Sequence, residues 1–581
     1  MYKTPLREYD FILHEVLKIS EWKNIKGYEE LESEYTSSII SEAGKLAEKE
    51  LFPTNSDGDK TGVLYNRDTK KVTTPDSFKK AFNAMRDSGW TGLDCDENYG
   101  GQGMPHILST IINEIFSSGN QALAMYSGLT HGAYSALHAH GTREQKDMYL
   151  SKLISGQWTG TMNLTEPQCG TDLGLIKTKA VPQDDGSYQI SGTKIFITAG
   201  EHDLSENIIH LVLARLPDAP EGVKGISLFV VPKILINEDG TLADRNAVYC
   251  EKIEEKMGIH GSATCMMNYD NAVGYLVGEP NKGLRAMFTM MNEARLLVGL
   301  QGLSQAEVAY QYAYQYAQDR LQGSNPLGDK SKTVAIIEHP DVKRNLIEQK
   351  ALIEGMRTFL LWSASFLDEE KRSENKQANE RISLLIPVLK SFLTDKGFEI
   401  SVNAQQVFGG HGYLEDWPMS QFVRDSRISM IYEGTNGVQA LDLVGRKLPQ
   451  NGGRAMMDLL HEIKEYCKRE NYREDFSRDF ISPLKDASKA LQSVCMYFVM
   501  NGMKDPLNPL VGAKEFLDMF GYLMVGYSWA KMAEVCYGKE DQYYHDKLNT
   551  GKFYMKRILP KVYYYEKIIM DDGHKEVMNY Q

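Results

Sequence analysis

The chain has 581 residues, 42% apolar and 25% charged, the balance of an ordinary globular protein with room for three or four cores of ~150 residues. Its formal net charge of -13 argues against an obligate nucleic-acid or anionic-membrane partner. Seven scattered cysteines without a C-x-x-C pair point to reduced thiols and no metal site, and the N-terminal segment has neither a signal nor a transit pattern. No apolar run approaches the ~20 residues of a membrane span, so a cytoplasmic protein is expected.

Residues 1–36 read as a helical extension, with Phe11, Ile12, Val16 and Leu17 at helical spacing. A first helical domain, 37–155, carries the stripes Ile39, Ile40, Ala43, Leu46 and Ile107, Leu108, Ile111, Ile112, Ile115. Between the stripes, the glycines of Glu97–Pro105 resemble a phosphate loop but lack a leading strand, so the segment reads as an interhelix turn. Near Gly156 the period changes to alternation. Residues 156–280 read as an inserted β-domain with strands at Tyr188–Ile190, Lys194–Thr198, Ile208–Ala214, Ile226–Val231 and Ala263–Tyr269. Helix returns over 281–448: a Met-rich helix to about Arg320, then Val342–Glu369 and Ile382–Phe408, each long enough to cross a bundle. After the break at Leu448–Gly453, residues 449–581 read as a further helical domain with no recognisable site chemistry. The expected class is α+β, mainly helical.

The most informative segment is Arg427–Leu448. Ile431 and Tyr432 lead into Glu433-Gly434-Thr435-Asn436-Gly437, and Val438, Leu441, Leu443 and Val444 follow at helical spacing. This places a carboxylate on a tight glycine-containing turn that opens a helix, where unpaired N–H groups suit a phosphate or a thioester oxygen. A glutamate in a turn is ordinarily just solvated, so the reading needs support from elsewhere in the chain.

Three other segments supply it: Met162–Asp172 (MNLTEPQCGTD), closing the first helical unit; Lys194–Thr198 (KIFIT), on a strand; and Gln406–Gly412 (QVFGGHG), at a helix end. With Tyr432–Thr435, and in this order, they resemble the acyl-CoA dehydrogenase family over about Ser37 to Lys447. The extension, the YEGTNG form of the turn and the C-terminal helical unit look closest to a larger bacterial branch.

The resemblance implies an N-terminal helical domain, a middle β-domain, a C-terminal four-helix bundle and an extra C-terminal helical domain. It implies FAD as cofactor and α,β-dehydrogenation of an acyl-CoA to the trans-2-enoyl-CoA. Glu433 is then the base for the α-proton, its pKa raised from near 4.3 by burial, and flavin N5 takes the β-hydride. The backbone N–H of Glu433 and a flavin ribityl hydroxyl hold the thioester oxygen, with Gly434 permitting the close approach. Met162, Leu164 and Thr165 match contacts to the flavin ring, Thr198 matches the donor near N5, and Phe196 and Ile197 share that strand. Phe196 stands where the family often has Trp against the ring; its other reading is an ordinary strand core residue. Gly170 and Thr171 belong to the same motif, and Thr171 also matches a residue at the pantetheine end of the substrate. Arg320 and Gln322 match a segment that reaches the FAD pyrophosphate of a neighbouring subunit. Gln406, Gly409 and Gly410 match the contact to its adenosine half, and Thr435 and Gly437 the FAD-touching end of the turn. The implied partners are an electron-transfer flavoprotein and further copies of the chain, as a homodimer or dimer of dimers.

The sequence also departs from the family. Gly437 stands where a glutamine usually touches FAD, so that contact falls to backbone or to Asn436. The segment Gly323–Ile337 is longer than in smaller relatives. Some relatives carry the base on the long helix, just before an arginine matching Arg295; here that place is Ala294, and Glu293 is one position off and about 100° round the helix. This leaves Glu433 as the base and Glu293 as a polar wall, while Arg295 binds substrate, braces Glu433 or makes a helix-face ion pair. Cys169 reads as an inert buried thiol, and His260 and His411, beside glycines, as solvated. Two alternatives share the scaffold: an acyl-CoA oxidase, and a DNA-binding alkylation-response flavoprotein, for which the mixed charge of 454–581 offers little basic surface.

Overall fold

The computed structural model describes residues 2–23, 25–325, 328–469, 472–571 and 574–580. In chain order the principal elements are helix α1 (His106–His140), strands β1 (Trp158–Asn163), β2 (Lys179–Pro182), β3 (Tyr188–Thr198), β4 (Asn207–Arg215), β5 (Ile226–Pro232), β6 (Val248–Ile253) and β7 (Thr264–Val277), then helices α2 (Gly283–Asp319), α3 (Pro340–Ser373), α4 (Lys376–Val407), α5 (Asn436–Asp442), α6 (Arg454–Cys467), α7 (Ser482–Gly502), α8 (Ala513–Cys536), α9 (Gln542–Phe553) and α10 (Lys561–Met570). No helix of the described residues is long and apolar enough to cross a membrane. The chain divides into two compact units, one of residues 42–104 and 115–297, the other of 1–41, 105–114 and 298–581.

The first unit holds the seven-stranded sheet, in the order β6-β7-β3-β2-β4-β1, with β5 pairing both β7 and β4. Pairing through β7, β3, β2, β4 and β5 therefore returns to its starting strand. Strands β4 and β5 are buried along nearly their whole length, which is why they read as unbroken apolar runs, NIIHLVLAR and ISLFVVP. The two short strands expected at Tyr188–Ile190 and Lys194–Thr198 are one, β3. Strand β1 replaces the expected end of a helical unit: Met162 and Asn163 close a strand that runs parallel to β4. Its interior is polar, so no apolar alternation marked it. Asn163 donates to Thr161 Oγ1 (2.6 Å) and accepts from Tyr269 OH (2.9 Å), and Thr161 Oγ1 meets His210 Nδ1 at 2.9 Å. Burial pushes His210 down to about 3, so it sits there as neutral imidazole.

The second unit is helical. Helices α3 and α4, of 34 and 32 residues, pack on each other and on α8, whose 24 residues are buried on nearly every side. Close approach requires Gly521, where a Cβ would lie 2.3 Å from the Phe392 ring. Trp529 of α8 donates to the Ala351 carbonyl of α3 at 2.8 Å, so residues beyond 449 share the core of the bundle. The N-terminal extension joins it too, with Phe11, Ile12 and Leu13 fully buried. Lys547 of α9 binds Glu8 at 2.5 Å and Glu354 of α3 at 2.9 Å. A second buried cation, Arg357, lies between Glu114 (2.8 Å) and Glu307 (2.7 Å), with its guanidinium over the Tyr9 ring.

Candidate functional site

In the sheet-bearing unit, the segment after β1 lies against β3. Ile195 N donates to the Thr165 carbonyl at 2.9 Å. Behind the loop, Lys194 Nζ donates to the Leu164 carbonyl (3.0 Å) and to Glu166 Oε1 (2.8 Å). Glu166 also accepts from Thr178 Oγ1 (2.6 Å), Thr178 N (3.1 Å) and Lys177 N (2.8 Å). Thr165 itself, half-buried, gives its N–H and hydroxyl to no protein acceptor among the described residues. Phe196 is 61% exposed with φ 59°, and Ile197 is buried. Two residues of β3, Ile195 and Phe196, face the single Met266 of β7; this bulge turns Phe196 outward, so it is not a core residue. Gly170 and Thr171 are exposed, and a Cβ at Gly170 would meet nothing within 4 Å. Met162, Leu164, Thr165, Phe196, Ile197 and Thr198 thus come together on two joined segments. An exposed ring beside donors that lack protein acceptors suits a flat, acceptor-rich cofactor such as a flavin.

The Glu166–Lys194 pair was visible in the sequence only as two letters of separate motifs. Burial opposes charge on Glu166, but the Lys194 ammonium and the hydrogen bonds outweigh it and hold the carboxyl down to about 2. Burial pushes Lys194 down to about 8 despite its partner. Because the folded value for Glu166 lies below the usual one, its stabilisation is complete above about pH 4.5 and disappears as pH falls through about 2. The unfolding free-energy difference between the native chain and Glu166→Gln is therefore expected to grow from pH 2 to 4.5 and to stay level only while Lys194 keeps its proton, below about pH 8; a difference independent of pH between 2 and 4.5 contradicts this.

A second polar cluster in this unit surrounds Glu293. Ser135 Oγ donates to it at 2.7 Å, His131 Nδ1 lies 3.5 Å away, and His131 Nε2 meets Asp94 at 2.9 Å. Asp94, Cys95 and His131 place three ligand atoms within 4.8 Å of one another, from positions with no metal-motif spacing. Burial works against charging His131, yet Asp94 foremost, with Cys95 and Glu293, raises it well above the ordinary imidazole value, and a proton satisfies the cluster. Arg295 is buried, at 8% exposed. Cys169 is buried, its Sγ 3.2 Å from the Asp172 carbonyl, and burial raises its pKa. His260 is bound to Asp59 at 2.9 Å rather than merely solvated.

In the helical unit, Glu433 sits half-buried on the turn before α5 with φ 56°, and Gly434 follows at 85°. Two consecutive left-handed residues reverse the chain sharply, a strained state for glutamate. Gln439 donates to the Glu433 carbonyl at 3.0 Å, and Thr435 caps α5 by accepting from Val438 N at 3.4 Å. Asn436 is the anchor. Its amide donates to Asp395 (2.7 Å), Thr394 (3.0 Å) and the Ser391 carbonyl (3.2 Å), and its oxygen accepts from Lys390 (2.8 Å). The expectation that Asn436 touches cofactor gives way: the side chain is buried and committed to α4, leaving the exposed backbone at Gly437. Tyr432 OH donates to Gln301 of α2. Gly434→Ala would set a Cβ 2.8 Å from Gln439 Nε2 at a positive φ. Under the assignment of Glu433 as a base, a ~1 Å displacement of its carboxylate is worth up to ~10²-fold in rate, so turnover at saturating substrate is expected to fall at least ~10-fold.

Arg320 and Gln322 are exposed at the end of α2, and Gln406, Gly409 and Gly410 are exposed at the end of α4. The structure joins these ends through Tyr316, which stacks on Phe408 at 4.1 Å and hydrogen-bonds His411 Nδ1 at 2.7 Å, so His411 is not simply solvated. Residues Leu321–Ser324 and Thr333–Ala335 form a two-stranded hairpin, where the longer Gly323–Ile337 segment lies; Pro326 and Leu327 within it are outside the described residues.

The chain is thus mainly helical with an inserted sheet, and it carries a glutamate on a left-handed turn in one unit and an exposed Phe196 beside the Thr165 donors in the other. Family models for the acyl-CoA dehydrogenase N-terminal, middle and C-terminal domains match residues 33–157, 161–272 and 281–448, and an acetyl-CoA dehydrogenase C-terminal-like model matches 459–581. The chain is 39% identical over 583 residues to the 3-methylmercaptopropionyl-CoA dehydrogenase of Ruegeria pomeroyi, covering 98% of both. The acyl-CoA dehydrogenase of Bacillus anthracis, solved with FAD, has the same fold with a TM-score of 0.77 at 20% identity, over 96% of this chain and 92% of that one. A chain in a structure of the electron-transferring flavoprotein of Acidaminococcus fermentans aligns with a TM-score of 0.59 and 26% identity, over 72% and 98%. The chain belongs to the acyl-CoA dehydrogenase family and, by that membership, is an oxidoreductase.

Proposed function

We propose that the chain is an FAD-dependent acyl-CoA dehydrogenase that converts an acyl-CoA to its trans-2-enoyl-CoA in the cytoplasm, with Glu433 as the base. The observation that carries this reading is the turn itself: Glu433 is held in a left-handed conformation by Gln439 and, through Asn436, by α4. Such strain is retained where a carboxylate must keep one orientation. Glu433 takes the α-proton, and its backbone N–H, beside Gly434, donates to the thioester oxygen as enolate character develops. Thr165 and Thr198, with the outward Phe196, hold FAD, which when bound supplies the hydride acceptor. Thr171 and Arg295 belong to the substrate side. Arg320, Gln322, Gln406, Gly409 and Gly410, all exposed, serve FAD of a second copy in a homodimer or dimer of dimers, the planar guanidinium suiting a pyrophosphate.

Residues 1–36 and 449–581 act in this reading as a cover on the bundle rather than as sites. Electrons leave to an electron-transfer flavoprotein, a reading in keeping with the resemblance to the Acidaminococcus fermentans chain. The test is product analysis by mass spectrometry: an acyl-CoA lighter by two hydrogens, with turnover dependent on an added electron-transfer flavoprotein. Hydrogen peroxide formed at the same rate without that protein would make the chain an oxidase instead.

A further inference from the structure

Outside the residues that face substrate or cofactor, one buried charge stands directly behind the flavin-contacting loop. Lys194 is fully buried, and its ammonium is shared between the Leu164 carbonyl and Glu166. Glu166 is in turn fixed by the backbone N–H groups of Lys177 and Thr178 and by the Thr178 hydroxyl, so three separate segments meet at this pair. The Leu164 carbonyl and the Thr165 N–H are the two ends of one peptide group. A cation bound at the carbonyl end draws electron density through the peptide and makes the N–H end a stronger donor. In a site so little exposed, solvent screens that effect weakly. A hydrocarbon side chain would fill the same space without the desolvation cost of a buried ammonium, so packing alone does not account for a lysine here.

We propose that Lys194 is a positioning residue for the flavin: through the Leu164–Thr165 peptide it sets the strength of the Thr165 N–H donor, and with it the affinity and reduction potential of the cofactor. This rests on the reading of Met162–Thr165 as a flavin contact. A stronger donor stabilises the reduced flavin, which carries more electron density, over the oxidised form. Lys194 therefore raises the potential toward that needed to accept a hydride from a saturated acyl chain.

The experiment compares the holoprotein with Lys194→Met, with Lys194→Met combined with Glu166→Gln, and with Thr178→Val. The double variant leaves no orphaned buried charge and decides the matter where the single variant does not fold. Thr178→Val removes one bond to Glu166 and keeps the Lys194–Leu164 contact. Expected are an FAD dissociation constant raised at least ~10-fold and a flavin potential lowered by at least ~30 mV, the tenfold equivalent for a two-electron couple, in both lysine variants, with the potential of Thr178→Val unchanged. A folded double variant with native affinity and potential overturns the proposal, as does an equal potential shift in Thr178→Val. Native protein that binds no FAD, or whose FAD no acyl-CoA bleaches, overturns the underlying reading instead.

Discussion

Glu433→Gln is expected to bind FAD and acyl-CoA at near-native levels and to lose turnover by ~10²–10⁴-fold or more, the contribution of a positioned general base. The substitution is nearly isosteric, so the hydrogen bond from Gln439 to the residue 433 carbonyl and the Asn436 anchor are untouched. Only the ability to take a proton is removed. A neutral amide at φ 56° carries the same backbone strain as the carboxylate, which makes stability a useful control. Near-native turnover, or a large loss of stability, would mean that the turn serves architecture and the base lies elsewhere. The candidate then is Glu293, engaged by Ser135 and close to His131, and the matching Glu293→Gln variant separates the two.

Arg357→Met is expected to be the most damaging single change outside the site, at ~3–5 kcal/mol, because it leaves Glu114 and Glu307 facing one another without a cation. All three side chains are below 10% exposed, so water cannot take over the role of the guanidinium. Glu114 is already raised above the usual carboxyl range by burial, which Arg357 only partly offsets. Denaturant unfolding followed by tryptophan fluorescence reads the loss. Replacing all three residues by apolar ones of similar size should recover most of it, and a single variant as stable as the native chain would contradict this account of the core.

The sequence discloses the order of helical and sheet segments because α2, α3, α4 and the fully buried β4 and β5 carry their periods over long runs. It conceals β1 because Thr159, Thr161 and Asn163 point into a polar interior instead of an apolar one. It makes Phe196 look like either a ring contact or a core residue, and only the bulge opposite Met266 decides which way the side chain faces. The tight turn at Glu433 is legible from its glycines, whereas its anchor is not: Asn436 reaches back over forty residues to Lys390 and Asp395, a distance no local pattern encodes. Lys194 and Glu166 are hidden for the same reason, being two ordinary charges in different motifs until β3 lies against the loop that follows β1. The coherence of residues 1–36 with the C-terminal helices rests likewise on Glu8 and Lys547, at opposite ends of the chain.

The central claim, that Glu433 drives α-proton removal from an acyl-CoA so that a bound flavin is reduced, is tested most directly by anaerobic mixing of the holoprotein with a panel of acyl-CoAs. The panel runs from short straight chains to branched, long and thioether-containing ones, with the visible absorbance of the flavin as the signal. The account predicts bleaching by some members with the native chain and none on the same timescale with Glu433→Gln. Equal bleaching in both proteins, or none by any acyl-CoA with FAD bound, would contradict it.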